Sequence, residues 1–288
     1  MSDQDFLDLL RQKMDGMPNK ARRVVEYILA NSREAAFLSI GEVADKLDVS
    51  KAQLVRVARM LGYDGYASLK DALKKTVLQQ VNPSAMLSKI MKDHKDIPDE
   101  IYRLEHANID DTWNQIQADQ VSTFCSMLQE GKTIFCVGWG ISALVAESLY
   151  TRLLELSLKG VLLKRGSLAL IEQARAIEKG DIVIVCELPS YVIEVTDSIK
   201  LAAERGARII TITDSPAAPV CKFAKLSFFV SDMSPTFGSS IIGPIFLIHI
   251  LTSVLAANMG DQAKKALERQ AKGLHDERIY YPTYELRY

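Results

Sequence analysis

The chain has 288 residues, 48% of them hydrophobic and 25% charged, and a formal net charge of −1. That length accommodates two domains with separate cores, and the composition is ordinary for a soluble globular protein. The charge balance excludes binding to nucleic acid by bulk positive charge, so any such affinity needs a local basic patch.

The N-terminal stretch MSDQDFLDLLRQK is acidic and lacks an apolar h-region, so no signal peptide is expected. Asn19 to Asn31 has the spacing of a helix with Val24, Val25, Ile28 and Leu29 inward. Ile40, Val43, Ala44 and Leu47 then recur at i, i+3, i+4 and i+7, one apolar stripe of a short helix. Asp48 and Val49 break the pattern, and Ser50 stands where an N-cap belongs. A second helix, Lys51 to Leu61, turns Leu54, Val57, Ala58 and Leu61 inward and shows Lys51, Gln53, Arg56 and Arg59 on its other face. A short capped helix with a basic outward face, set across a tight turn from a scaffold helix, is what a helix-turn-helix places in the DNA major groove.

From Ser50 to Gln80, six basic residues (Lys51, Arg56, Arg59, Lys70, Lys74, Lys75) stand against two acidic ones (Asp64, Asp71), a local +4. The competing reading of that charge is an ordinary solvated helix face. The DNA-facing candidates are Ser50, Lys51, Gln53, Arg56 and Arg59, with Tyr63, Tyr66 and Lys70 expected against the DNA backbone. Arg22 and Arg23 add phosphate contacts from the first helix. Gln53 has the donor and acceptor to read an adenine edge, and Arg56 suits a guanine or a phosphate. Asp64-Gly65 marks a turn, a further helix runs from Tyr66 to Leu78, and Asn82-Pro83 ends it. Residues from about 84 to 122 are acidic and read as a helical connector whose apolar positions pack on a neighbour.

From Ser122 the pattern alternates. Apolar strands are expected at 133–137, 160–163, 181–186, 208–213 and 226–230. Helices are expected at 141–158, 167–177, 192–205, 241–257 and 262–273. This alternation predicts a doubly wound parallel sheet with helices on both faces and ligands at the carboxyl ends of the strands. The expected fold class is therefore α/β, with an all-α helix-turn-helix domain at residues 1–80, a connector at 81–121, the sheet domain at 122–275 and a Tyr-rich tail at 276–288. Cys125, Cys136, Cys186 and Cys221 form no CxxC pair, and no His lies at metal-ligand spacing, so buried thiols, no metal and a reducing cytoplasm are expected. The longest apolar run, Ile241 to Ala257, is interrupted by Gly243, Pro244, His249, Thr252 and Ser253 and reads as a core helix, too short and polar to span a bilayer.

Gly138-Trp139-Gly140-Ile141-Ser142 lies between the first strand and its helix, where glycines admit close approach and a helix N-terminus favours an anion, typically phosphate. A plain strand-to-helix turn is the alternative. A dinucleotide is not expected, because GxGxxG needs a third glycine where Ala143 stands and no acidic residue ends the second strand. The other candidates at this edge are Glu187 and Ser190 after the third strand, Asp214 after the fourth, and Ser239 and Ser240 before the long helix, where helix capping is the competing role.

These residues resemble a known family. Ser39-Ile40, Val43-Ala44, Val49-Ser50, Val55-Arg56, Arg59, Leu61-Gly62, Gly65-Tyr66 and Leu69-Lys70 resemble the RpiR-type helix-turn-helix. Gly138-x-Gly140-x-Ser142, Gly180-Asp181, Glu194, Gly206-Ala207-Arg208 and Ile212-Thr213-Asp214-Ser215 are similar to a SIS (sugar isomerase) domain. The resemblance implies a bacterial regulator of carbohydrate metabolism that senses a sugar phosphate or related derivative and forms dimers or tetramers. One stretch departs from it: where SIS domains commonly carry a Ser-x-Ser-Gly-x-Thr phosphate loop, this chain has Glu187-Leu188-Pro189-Ser190-Tyr191-Val192. Pro189 removes a donor, and an inward Glu187 repels phosphate.

The leading expectation is thus a dimeric regulator bound to a double-stranded inverted-repeat operator, with half-sites about 34 Å or a multiple apart. No cofactor and no membrane partner are expected. A SIS-fold sugar-phosphate isomerase is the alternative, and Glu194, Lys164 and His249 are its candidate acid and base, although His249 reads as a core residue. The tail Ile279 to Tyr288 is read as an arm packed on its own chain or on a second subunit.

Overall fold

A computed structural model of the chain describes residues 3–14, 16–80, 82–84, 86–88, 96–277 and 279. These divide into two compact units. One runs to Ile101, with the short pieces Ser215–Ala217 and Ser234–Gly238 grouped with it; the other is built from Tyr102 onward. The part of the tail from Tyr280 to Tyr288 lies outside the described residues.

The first unit is helical: α1 (Asp3–Met14), α2 (Asn19–Ala30), α3 (Ser32–Phe37), α4 (Ile40–Leu47), α5 (Lys51–Met60) and α6 (Tyr66–Gln80). Phe6, Leu10, Val24, Val25, Ile28, Val43, Leu54, Val57, Leu61 and Leu69 share its core. The ends of α4 and α5 have visible physical causes. Ser39 and Glu42 form a reciprocal capping box, Ser39 Oγ accepting from Glu42 N at 3.2 Å and Glu42 Oε2 accepting from Ser39 N at 2.7 Å. Asp48 ends α4 at φ 52°, a left-handed conformation that Asp tolerates better than most residues. Ser50 Oγ accepts from Gln53 N at 3.1 Å and opens α5. At the other end Lys13 donates to Leu61 O at 2.8 Å, a cation at the negative end of the helix dipole. The short helix α3 was not expected; its buried Glu34 pairs with Lys46 of α4 and accepts from Tyr27 Oη of α2 at 2.8 Å, so one carboxylate joins three helices.

The second unit contains helices α7 (Ile97–Gln115, from Tyr102) and α8 (Ala118–Glu130), strands β1 (Ile134–Val137), β2 (Gly160–Leu163), β3 (Ile182–Glu187), β4 (Arg208–Thr213) and β5 (Ala224–Phe229), and helices α9 (Ile141–Glu155), α10 (Leu170–Ala174), α11 (Ile193–Glu204), α12 (Ile242–Met259) and α13 (Asp261–Asp276). The strand order is β2-β1-β3-β4-β5, and every pairing is parallel. Cys136, Ile184 and Ile210 pack with Phe124, Leu149 and Leu251 on one face, while Phe135, Val183 and Ile209 pack with Leu170, Ile199 and Val220 on the other. Burial on both faces explains why the strands read as unbroken apolar runs.

Three expectations change. The helix expected over 167–177 shortens to Leu170–Ala174, because Glu172 Oε2 accepts from Ala169 N at 2.9 Å and starts the helix late. The helix α12 is longer than expected and, by length and composition, is able to cross a membrane. Leu247, Ile248, Leu251 and Leu255 nevertheless pack in the core, and His249, expected inside, is exposed. Finally, the acidic segment expected as a connector carries two buried polar anchors. Asn108 Oδ1 accepts from Ser231 Oγ (2.8 Å) and Met233 N (2.9 Å), Asn108 Nδ2 donates to Met233 O (2.8 Å), and Thr112 Oγ1 accepts from Ser231 N (3.0 Å).

Gly243 of α12 belongs to the same contact: a β-carbon there would stand 2.3 Å from Ser231 O and 2.7 Å from Thr112 Oγ1. Gly243→Ala is expected to destabilise the second unit by about 1–3 kcal/mol. Gly166→Ala, with open space at the same atom, is expected to change little. Equal melting temperatures for the two variants would contradict the packing argument.

Candidate nucleic-acid interface and ligand site

In the first unit, burial sorts the candidates along α5. Leu54, Val57, Ala58 and Leu61 are buried, which leaves Lys51, Arg56 and Arg59 exposed and Gln53 half-buried on the outer face. Lys51 and Arg56 make no ion pair among the described residues, and Arg59 Nε donates to Asp64 O at 3.4 Å. The remaining candidates are placed differently. The hydroxyl of Ser50 is used by the cap. Tyr66, expected against DNA, is 6% exposed and is withdrawn: it lies in the core, and burial pushes its phenol up to about 12. Tyr63 is half-buried with its ring at 6.2 Å, edge on, from Phe6. Lys70 is half-buried, its ammonium directed to Phe37 O at 3.4 Å. Arg22 pairs with Glu26 at 3.0 Å, and Arg23 is exposed.

In the second unit the order β2-β1-β3-β4-β5 reverses direction between β1 and β3, the switch point where open parallel sheets leave a crevice. The turn after β1 and the loop after β3 meet there. Gly138 is required by close approach, since a β-carbon would stand 2.4 Å from Ser142 O. Gly140 holds φ 58° at the entry to α9. Ser142 is buried and its Oγ accepts from Leu188 N at 3.0 Å, so this expected ligand hydroxyl instead ties the two segments together. Ser142 N and Ala143 N are bonded to Trp139 O and Gly140 O, which reduces the free donors at this helix start.

Glu187 points inward. The residue is 4% exposed; Oε1 accepts from Val192 N at 3.3 Å, and Oε2 is buried with no hydrogen-bond partner among the described residues. Its strand partner Thr213 precedes Asp214, whose Oδ1 accepts from Tyr191 Oη at 2.8 Å and Thr213 Oγ1 at 3.3 Å. Burial pushes the Glu187 carboxyl up to about 7; the Val192 N–H opposes it, and the charge of Asp214 adds a smaller push upward. Ser190 at the loop tip is exposed with φ 32°. Ser239 is half-buried, whereas Ser240 is withdrawn as a ligand group: its Oγ donates to Glu105 Oε2 at 2.7 Å and accepts from Ile242 N, the first N–H of α12, at 3.1 Å.

The acid and base candidates of the isomerase alternative have other partners. Lys164 pairs with Glu147 at 2.7 Å. Glu194 accepts from Leu170 N at 2.9 Å and pairs with Arg165 at 3.1 Å. Among the described residues no three His, Cys, Asp or Glu side chains gather as a metal site.

Comparison with known proteins agrees with this division. The helix-turn-helix domain of the rpiR family matches residues 4–80, and the SIS domain matches residues 127–256. The HTH-type transcriptional regulator RpiR of Escherichia coli is 25% identical over 217 residues, covering 75% of this chain and 72% of its own length. An uncharacterized HTH-type transcriptional regulator of Caldanaerobacter subterraneus is 23% identical across 96% of this chain and 99% of its own. Among solved structures, the Vibrio vulnificus NanR protein complexed with ManNAc-6P superposes with a TM-score of 0.60 at 23% identity, over 94% of this chain and 98% of its own. The sugar isomerase domain of an RpiR transcription factor from Sphaerobacter thermophilus gives 0.59 at 22% identity, over 62% and 99%. These two structural likenesses establish the fold.

The Glu187 carboxyl carries a stability consequence. Its folded value lies above the ordinary 4.5, so the folded state keeps a proton that the unfolded chain has already lost. Stability is full below about 4.5 and falls as pH rises through about 7. Glu187→Gln is expected to remove this slope, so that the variant gains on the wild type by on the order of 3 kcal/mol between pH 4.5 and pH 8. Denaturant melts at several pH values measure it, and a difference that does not change with pH would contradict the assignment.

Proposed function

We propose, from the premise that the chain belongs to the RpiR family of transcriptional regulators and joins its helix-turn-helix to a SIS domain, that it binds an inverted-repeat operator and regulates carbohydrate metabolism in response to a sugar derivative. The observation that carries this reading is α5: capped at Ser50, buried on its inner face, and presenting Lys51, Gln53, Arg56 and Arg59 outward. That is the form of a recognition helix, with base-edge contacts from Gln53 and Arg56 and phosphate contacts from Lys51 and Arg59. A homodimer or homotetramer in the cytoplasm supplies the two-fold symmetry that an inverted repeat needs.

In this reading the SIS domain is a sensor and not an enzyme. The turn Gly138–Ser142 and the loop Glu187–Tyr191 meet at the switch point, with Asp214 one residue beyond the strand partner of Glu187, and this edge is the proposed ligand site, with Ser239 as a further candidate. The engagement of Lys164 with Glu147 and of Glu194 with Arg165 supports binding over proton transfer. The ligand alters DNA affinity only by the ratio of its affinities for the DNA-competent and incompetent states. NanR, crystallised with ManNAc-6P, is the precedent for a sugar derivative in this class of fold.

The test is binding of the full chain to DNA upstream of its own operon at two salt concentrations. Affinity is expected to be sequence-specific and to fall steeply with salt, and Arg56→Ala is expected to cost about 1–3 kcal/mol of specific binding. Equal affinity for unrelated DNA, or an Arg56→Ala variant that binds like the wild type, would contradict the assignment of α5.

A further inference from the structure

We infer that a buried carboxyl of this chain stands at the effector site where a phosphate would bind, and that the site takes a phosphate-free sugar derivative bound through hydroxyl or ammonium donors, with Glu187 as the specificity-determining residue. The inference rests on the reading of the sheet edge as an effector site and goes on to name the chemical class.

A phosphate at a strand-to-helix loop is held by backbone N–H groups and by the positive end of the following helix. Two donors of this loop are committed and a third position has none. Leu188 N–H is given to Ser142 Oγ, Pro189 has none, and Val192 N–H, at the cap of the 12-residue helix α11, is given to Glu187 Oε1. The Glu187 carboxylate therefore takes up the helix-start interaction that a phosphate oxygen would use. At the end of β2, Lys164 is paired with Glu147 and Arg165 with Glu194. Asp214, one residue beyond the strand partner of Glu187, places a second carboxyl on the same edge. A phosphate entering here would compete with Glu187 for the Val192 N–H and meet two carboxyl groups in a poorly screened place.

The same geometry favours a donor. Oε2 of Glu187 is shut off from solvent, belongs to a residue 4% exposed, and has no hydrogen-bond partner among the described residues. Buried carboxylate oxygens are nearly always satisfied. A ligand that opens the loop at its exposed tip, Ser190, and brings a hydroxyl or ammonium hydrogen to Oε2 supplies the missing partner. An ammonium there also offsets the cost of ionising the buried carboxyl, whereas a phosphate adds like charge beside it.

Calorimetric titration of the full-length chain with two matched pairs, glucosamine and glucosamine 6-phosphate, N-acetylmannosamine and its 6-phosphate, tests this. The proteins are wild type, Glu187→Gln, which keeps the side-chain shape, and Glu187→Ser with Pro189→Ser, which restores hydroxyls and a backbone donor. The wild type is expected to bind a phosphate-free member at least about tenfold more tightly than its phosphate. The double variant is expected to gain at least about tenfold for the phosphate, and Glu187→Gln to shift the same way by less. A wild type that prefers the phosphate, or variants that leave the preference unchanged while still binding, would overturn the role of Glu187 and spare the effector site. No binding of any probe by any of the three proteins would overturn the effector-site reading and this inference together.

Discussion

Removal of the inner face of α5 from water is the constraint on which the first unit depends. Val43 and Ala44 of α4 and Leu54, Val57 and Ala58 of α5 are buried, so the angle across the Asp48–Ser50 turn is set by packing and not by the turn alone. Each of these side chains contributes about 1–3 kcal/mol when buried. The outward residues are then determined by elimination: on a helix of 3.6 residues per turn, a face with Lys51, Arg56 and Arg59 is what remains. A ten-residue helix is marginal in isolation, and its caps at Ser50 and Leu61 matter for that reason.

The second unit follows the same logic with a sheet. Strands buried on both faces place every loop at one of two edges, and the reversal of winding between β1 and β3 leaves the crevice. A hydroxyl that looks available there is held by the protein: Ser142 bridges two segments, and Ser240, before α12, is bonded to Glu105 and to Ile242 N. What the edge presents is a buried carboxyl whose negative charge is destabilised by its surroundings. Perturbed groups of this kind gather at functional sites more often than elsewhere.

Local patterns were legible from residues alone. The five strands lie within about two residues of their expected positions, because short β-branched runs between turn residues have few other solutions. Ser50 was legible as a cap, and the capping box Ser39-x-x-Glu42 carried the same signal without being used. What was hidden depends on distant partners. Asn108 and Thr112 look like part of a solvated acidic helix, since their partners at Ser231 and Met233 lie over a hundred residues away. His249 sits on a helix apolar nearly all round, where periodicity cannot tell the inner face from the outer. The inward turn of Glu187 and the burial of Tyr66 are likewise tertiary facts.

Selection of binding sites from random duplex DNA by the purified full-length chain tests the central claim most directly. The account predicts enrichment of an inverted repeat with half-sites on one face of the duplex, and loss of that enrichment in Arg56→Ala while the protein stays folded. Recovery of no preferred sequence by the folded wild type, or the same repeat from the variant, would contradict it.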